Sequence, residues 1–230
     1  MQHALPLPMP RRSLTRSMRV LVACEYSGTV RNAFVDRGHD AWSCDLLPAE
    51  DGSNRHIRGD AREILNDGWD LLVVAHPPCT RLCNSGVRWL HVPPPGRTSE
   101  DMWRELDEGA DLFSTFWNAP IDRICIENPI MHKHAKERIR NYEEFSQSIQ
   151  PWQFGHPEVK RTCFWLRNLP PLVPTNIVDG REARTHRHSG WGKHGQERSH
   201  NRSRFFPGVA AAMADQWGEL AVQLFRLEAA

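Results

Sequence analysis

Short apolar runs that lack any polar alternation constrain this chain more than any other feature. Arg19-Val20-Leu21-Val22-Ala23-Cys24, Asp70-Leu71-Leu72-Val73-Val74-Ala75 and Arg123-Ile124-Cys125-Ile126 read as strands covered on both faces, because a half-exposed strand would alternate apolar and polar residues. Helical patterns lie between them. Val30 to Arg37 reads as a helix that Gly38 stops, and Ala61 to Asn66 as a short one. Met102 to Asn118 carries Trp103, Leu106, Ala110, Phe113 and Trp117 at helical spacing. Asp40 to Cys44 is a second strand ending at Asp45, Thr162 to Leu166 a late strand, and Val209 to Leu227 a final amphipathic helix. Strands alternating with helices predict an α/β fold, a mostly parallel sheet with helices on both faces.

The 230 residues suit one domain with a full core. Residues 1–17 read as a flexible tail and 18–230 as a single domain. The opening MQHALPLPMPRRSLTRSM puts its apolar patch ahead of its arginines, the wrong order for a secretory signal. No apolar stretch approaches the ~20 residues of a bilayer span, so no membrane partner is expected. The six cysteines form no paired C-x-x-C knuckles, which predicts reduced thiols, a cytoplasmic location and no disulfide scaffold. Residues 87–100 form a Pro-rich loop. Residues 174–204 hold no apolar period and are locally basic: Arg181, Arg184, Arg187, Lys193, Arg198, Arg202 and Arg204 stand against Asp179, Glu182 and Glu197. The same stretch holds His186, His188, His194 and His200. No cysteine accompanies them, so no metal site is expected. A net charge of +1 announces no polyanionic partner for the chain as a whole.

In open α/β sheets ligands bind beyond the carboxyl ends of the strands. The residues expected there are Glu25 through Gly28, Asp45, Asp60, His76-Pro77-Pro78-Cys79 and Glu127-Asn128. Each has a plain reading as well. Gly28 serves as a turn, Asp45 as a cap, Cys79 as an inert loop cysteine, Glu127 as one half of a salt bridge. As a set they point to a nucleoside-type cofactor and a nucleophile. Two prolines directly after a buried strand hold Cys79 at the sheet edge, whereas a purely core thiol would lie inside a strand, as Cys125 does. Arg81 is close enough in sequence to favour a thiolate, and Glu127 could stay protonated in a desolvated pocket.

Taken in order, these residues resemble the DNA cytosine-5 methyltransferase family, particularly its short phage-type members. CEYSGTVRNAF is similar to the family's first motif, Asp45 falls at the second, and Gly59-Asp60 at the third. PPCTRLCNSG is similar to the Pro-Pro-Cys nucleophile motif, and ENP to the Glu-Asn motif. The resemblance covers roughly residues 19–172, with an echo at 204–220. It implies a Rossmann-like fold and S-adenosylmethionine held by Cys24, Glu25, Gly28, Asp45, Asp60 and Pro77, with Glu25 helping to balance the sulfonium charge. Cys79 would attack the base, Glu127 would protonate it, and Asn128 would hold the pocket. Pro78, Ser85, Lys160, Arg161 and Arg204 would face the substrate, a cytosine flipped out of DNA with loop 80–100 closing behind it. A monomer in the host cell of a phage is the implied setting.

The chain also departs from the family. Tyr26 and Thr29 stand where glycines are usual, Cys83 where a serine is, and the Gln-x-Arg-x-Arg segment is not reproduced. Residues 174–204 stand in place of a target-recognition domain, so phosphate contacts and short or relaxed sequence specificity are expected. The rival readings are the same chemistry on a free cytosine nucleotide, an amino-group methyltransferase (which needs an aromatic residue where this chain has Cys79), a larger group transferred in place of methyl, and a non-catalytic nucleic-acid-binding or cofactor-binding module of the same fold.

Overall fold

The computed structural model describes residues 17–183 and 204–228. The strands are β1 (Arg19–Ala23), β2 (Asp40–Asp45), β3 (His56–Arg58), β4 (Leu71–Val74), β5 (Arg123–Asn128), β6 (Gln147–Ile149) and β7 (Thr162–Arg167). They form one sheet in the order β3-β2-β1-β4-β5-β7-β6. β1 to β5 are mutually parallel where they pair, while β7 runs antiparallel to β5 and to β6. The helices are α1 (Thr29–Val35), α2 (Ser99–Trp117), the single turn α3 (Lys133–Lys136) and α4 (Pro207–Glu228). The expected α/β architecture is therefore present.

Side chains on a strand alternate between faces, and that alternation divides each apolar run between two cores. Leu21, Ala23, Leu72, Val74, Ile124 and Ile126 pack with Met102, Leu106, Phe113 and Phe116 of α2. Val20, Val22, Leu71, Val73 and Cys125 pack instead with Val30 and Phe34 of α1 and with Val209, Met213 and Trp217 of α4. The unbroken hydrophobicity of the strands is thus accounted for. Both faces are dry.

Several expected boundaries move. β5 does not stop at Ile126 but runs on through Glu127 and Asn128, because β7 pairs with it there (Glu127↔Phe164, Asn128↔Cys163). The helix expected over 61–66 is a 3₁₀ turn, Ala61–Ile64, which Asp60 caps. Helix α2 starts at Ser99, where Thr98 and Asp101 form a reciprocal capping box, and the loop ahead of it contains a second 3₁₀ turn, Val87–Leu90. Strands β3 and β6 escape sequence reading, being three residues each. Residues 174–183, expected within an irregular insert, run beside 152–159: Gly155 N–H donates to the Asn176 carbonyl at 2.7 Å and Val159 N–H to that of Glu182 at 2.9 Å. The rest of that basic segment, 184–203 with its four histidines, and residues 1–16 of the tail lie outside the described residues.

The turn after β1 is built on buried charge. The Glu25 carboxylate is fully buried and accepts the N–H groups of Val30 (2.7 Å) and Arg31 (3.1 Å), satisfying two donors of the first turn of α1. Arg31, also fully buried, bonds Ser43 at 2.8 Å and pairs with Asp51. Gly28 sits between them in the left-handed region (φ 74°), and a Cβ there would collide with the Arg31 guanidinium and the Asp51 carboxylate. Removing the guanidinium strands the polar groups packed around it. Arg31→Ala is expected to cost about 3–5 kcal/mol in urea denaturation, whereas Arg58→Ala on the exposed edge strand is expected to change stability by less than ~0.5 kcal/mol.

Candidate functional site

The strand order reverses between β1 and β4, and the crevice at such a switch point is where an α/β sheet takes a ligand. A cleft of about 310 Å³ opens there, lined by Cys24 after β1, Asp45 ending β2, Gly59 and Asp60 after β3, and His76 and Pro78 after β4. Leu112 and Phe116 of α2 form one wall, and Leu46 and Leu47, 71% and 52% exposed, stand at the rim. Cys24 adopts φ 56°, a conformation a side-chain-bearing residue takes only when its surroundings enforce it. The enforcing contacts are Glu25 N–H to the Cys44 carbonyl and Ala75 N–H to the Ala23 carbonyl. Asp45 is half-buried, and burial holds its carboxyl above the usual carboxylate range.

The sequence-predicted cofactor residues divide. Cys24, Asp45 and Asp60 line this cleft, and so does Pro78, expected on the substrate side. Asp60 is already engaged, since its carboxylate takes the backbone N–H of Arg62 and both Nε and Nη2 of its guanidinium. Pro77 is buried beside the cleft and outside its lining. Glu25 and Gly28 do not reach it. The expectation that Glu25 balances a cationic donor is corrected: a helix N-terminus attracts a carboxylate, and Glu25 is spent capping α1.

A second, narrower pocket lies on the other side of His76. It is lined by His76, Glu127, Lys160, Thr162, Arg204, Phe205 and Phe206 among others, and its free volume of about 10 Å³ has room for one water. His76 belongs to both linings and forms the wall between them. Its Nε2 is buried without a hydrogen-bond partner, and burial, with Lys160 nearby, holds the ring well below the usual histidine range, hence neutral. Burial likewise pushes the Glu127 carboxyl up to about 7 against the opposing pull of Lys160. Asn128, on the opposite face of β5 and fully buried, leaves both amide atoms unpartnered. Unsatisfied polar atoms inside a protein cost free energy, and these cluster at the mouths of β4 and β5.

Cys79 is partly exposed and lies in the lining of neither cavity, although its neighbour Pro78 lines the cleft. Its thiol is held above the ordinary range by neighbouring Cys83, by burial and by Glu127, with Lys160 opposing. Arg81 does not serve it, contrary to the expectation from sequence. Its guanidinium pairs with Glu105 of α2 at 2.7 Å, because the turn after Cys79 carries residue 81 outwards. Of the remaining substrate candidates, Lys160 and Arg204 line the narrow pocket, with Arg204 also paired to Glu50. Ser85 bonds Cys83 at 3.0 Å. Arg161 is exposed and lies over the Phe145 ring, outside the pocket. Sequence reading placed His76 at the sheet edge without giving it a role, and missed Thr162, Phe205 and Phe206. The signal for His76 is its place between a buried strand and two prolines, whereas the other three left none.

Among the described residues no group of three or more His, Cys, Asp or Glu side chains is placed to hold a metal ion, and no helix is long and apolar enough to cross a membrane.

No family model and no curated protein matches the chain. Solved structures similar to it include a prophage-encoded E. coli protein studied as a DNA modification methyltransferase, with 16% identity, a TM-score of 0.45 and coverage of 71% of this chain and 52% of that one. The Entamoeba histolytica methyltransferase EhMeth is another, with 14% identity, a TM-score of 0.43 and coverage of 71% and 58%. The chain spans little more than half the length of either.

Glu127 has a thermodynamic signature. Its folded-state value lies above the ordinary 4.5, so the native state holds a proton that the unfolded chain releases. The resulting stability is fully present below about pH 4.5 and is lost as pH rises through about 7. Glu127→Gln cannot ionise. Between pH 5 and 8 its unfolding free energy is expected to gain roughly 3 kcal/mol relative to the parent, read from urea titrations at each pH.

Proposed function

We propose that this chain transfers a methyl group from S-adenosylmethionine to carbon 5 of cytosine in DNA, through a transient bond to Cys79. One observation carries the reading. Cys79 and Glu127, a thiol and a carboxylic acid whose pKa burial pushes up to about 7, stand in electrostatic contact at the ends of neighbouring parallel strands, beside a separate nucleoside-sized cleft.

The cleft suits the donor. Leu46, Leu47, Leu112 and Phe116 offer apolar faces to a flat ring, and Asp45 offers an acceptor at the end of β2, where ribose hydroxyls are commonly held. S-adenosylmethionine, when bound there, supplies an electrophilic methyl group. Pro78, in the cleft wall, is the neighbour of Cys79, so the nucleophile and the methyl source share a boundary.

Cytosine carbon 5 is too electron-poor to attack a methyl group unaided. When the Cys79 sulfur bonds to carbon 6, the ring's electrons become available at carbon 5. Charge then gathers on ring nitrogen 3, where a neutral Glu127 donates its proton. Lys160, beside Glu127, is positioned to neutralise the carboxylate left behind and to meet the ring oxygen. Asn128 braces the strand end from the opposite face. Departure of the carbon-5 proton restores the ring double bond and expels Cys79. A base inside a duplex is out of reach of such a site and must rotate out of the stack. The pocket must also widen to admit it, which displaces Phe205 and Phe206 from their places in the wall. Arg204 and Lys160 at that wall, with Arg181 stacked on Trp152 at 3.8 Å, supply cationic surface for phosphates.

The test is DNA containing 5-fluorocytosine, whose fluorine cannot leave as a proton does. With S-adenosylmethionine present, a stable protein–DNA adduct through Cys79 is expected, and none with Cys79→Ala. DNA binding without an adduct would point to the non-catalytic module, and faster methylation of deoxycytidine monophosphate than of DNA to the nucleotide enzyme. The methylation rate is expected to fall as pH rises through about 7, where Glu127 loses its proton. Glu127→Gln is expected to lower the rate by about 10²–10⁴-fold and to remove that pH limb.

A further inference from the structure

The chain leaves β4, the central strand of the sheet, through His76. Ala75 N–H still donates to the Ala23 carbonyl at 2.9 Å, and Pro77 bars the residue before it from helical backbone, so His76 is held from both sides where the sheet ends. Beyond that point no strand separates the two faces, and the imidazole borders a cavity on each. Its ring packs against Phe205 with centroids 5.2 Å apart, and Phe205 lies nearly parallel to Phe164 at 6.3 Å. Phe205 is one of the side chains that must leave for a base to enter the narrow pocket. The space it vacates lies against the His76 ring.

The polar groups around that space differ in kind. Lys160 brings only hydrogens to donate, and Thr162 brings a hydroxyl. Glu127, protonated up to about pH 7, brings one donor and one acceptor. Arg204 is paired with Glu50. His76 Nε2 is buried, and among the described residues nothing bonds it, although a buried nitrogen left alone opposes stability. Asn128, also buried and unpartnered, is on the opposite face of β5 and outside the pocket lining. A neutral imidazole whose proton is on Nδ1 offers a lone pair at Nε2. A flipped cytosine presents its ring oxygen, ring nitrogen 3 and an amino group with two hydrogens along one edge. Lys160 suits the oxygen, and Glu127 suits nitrogen 3 together with one amino hydrogen. The second amino hydrogen needs an acceptor, and Nε2 is a buried one with its lone pair unused.

We propose that His76 selects the base: its Nε2 accepts a hydrogen bond from the exocyclic amino group of the flipped pyrimidine, so the site favours an amino-bearing ring over one that lacks the group. The inference rests on the reading above, in which this pocket receives the base and Cys79 attacks it. A ring with hydrogen in place of the amino group would leave Nε2 buried and unsatisfied. Sites that bond a substrate N–H reject the analogue lacking it far more strongly than sites that only measure its size. His76 makes no bond to the reacting carbons. It acts on the amino group alone, and so on which base is accepted.

The test pairs a deletion on the protein with one on the base. Duplex DNA carries either 5-fluorocytosine or 5-fluoropyrimidin-2-one, which keeps the ring and the fluorine but has hydrogen in place of the amino group. With S-adenosylmethionine present, the rate of covalent adduct formation with each is read on denaturing gels. The ratio of the two rates is taken within one variant, so a general loss of activity cancels. His76→Phe keeps a flat ring without the nitrogen, and His76→Leu serves if the phenyl ring overfills the wall. The ratio favouring 5-fluorocytosine is expected to fall by roughly fivefold or more in either variant relative to the parent. It is expected to recover in part in His76→Gln, whose side-chain oxygen can accept the amino hydrogen. A smaller fall in His76→Phe and His76→Leu overturns the proposal, even if both adducts form more slowly, because a ring that merely holds the wall slows both alike. If the parent forms an adduct with neither base, the nucleophile reading fails and the assignment of His76 falls with it. If the parent traps both bases and the variants keep its ratio, the nucleophile stands and the assignment of His76 alone is refuted.

Discussion

The position of β4 in the middle of the sheet governs the rest of the molecule. Its four residues are completely buried and pair with β1 on one side and β5 on the other. The strand then runs within three residues into Pro77-Pro78, where the backbone has little freedom left. Two flanking ladders and two prolines leave Cys79 one place to stand. β5 ends beside it with Glu127, and the β1 turn opens the cleft on the other flank. A shift of β4 by one residue would exchange the two cores and withdraw the thiol from the acid.

Around that point the protein keeps ionisable groups out of water and in tension with one another. Glu25 and Glu127 are both buried carboxyls raised to about 7, yet they do different work. Glu25 is saturated by helix donors and holds the turn that shapes the cleft. Glu127 faces a pocket and Lys160. His76 stays neutral between the cavities, its Nε2 unpartnered. Groups left unsatisfied in this way oppose stability, and their concentration at the strand ends marks where the fold carries strain that its two dry cores must offset.

Much of this was readable from residue order. The unalternating runs at 20–23, 71–75 and 124–126 announced strands buried on both faces, and Pro77-Pro78 announced a rigid sheet edge. Cys125 was read as a core thiol and is fully buried. What escaped depended on partners distant in sequence. The end of β5 moved by two residues because β7, some forty residues on, pairs with it. Strands β3 and β6 are three residues long and owe their existence to neighbours rather than to their own propensity. Arg81 was assigned to Cys79 by proximity along the chain, but a helical turn carries it to Glu105 instead. Glu25 was taken for a ligand-facing charge because a list of residues cannot reveal where helix α1 needs an acceptor.

The amino-acid order alone determined the α/β class, the two-sided burial of the central strands and the set of chemistry-bearing residues at their ends. Those follow from local hydrophobicity and from prolines and glycines, which act within a few residues. The tertiary structure decided which of those residues meet. It put Cys79 with Glu127, Lys160 and Cys83, it turned Glu25 and Gly28 to building the turn, and it made His76 a shared wall. The physical reason is that contact and electrostatic coupling depend on separation in space and on exclusion of water, and only the packed sheet sets either one.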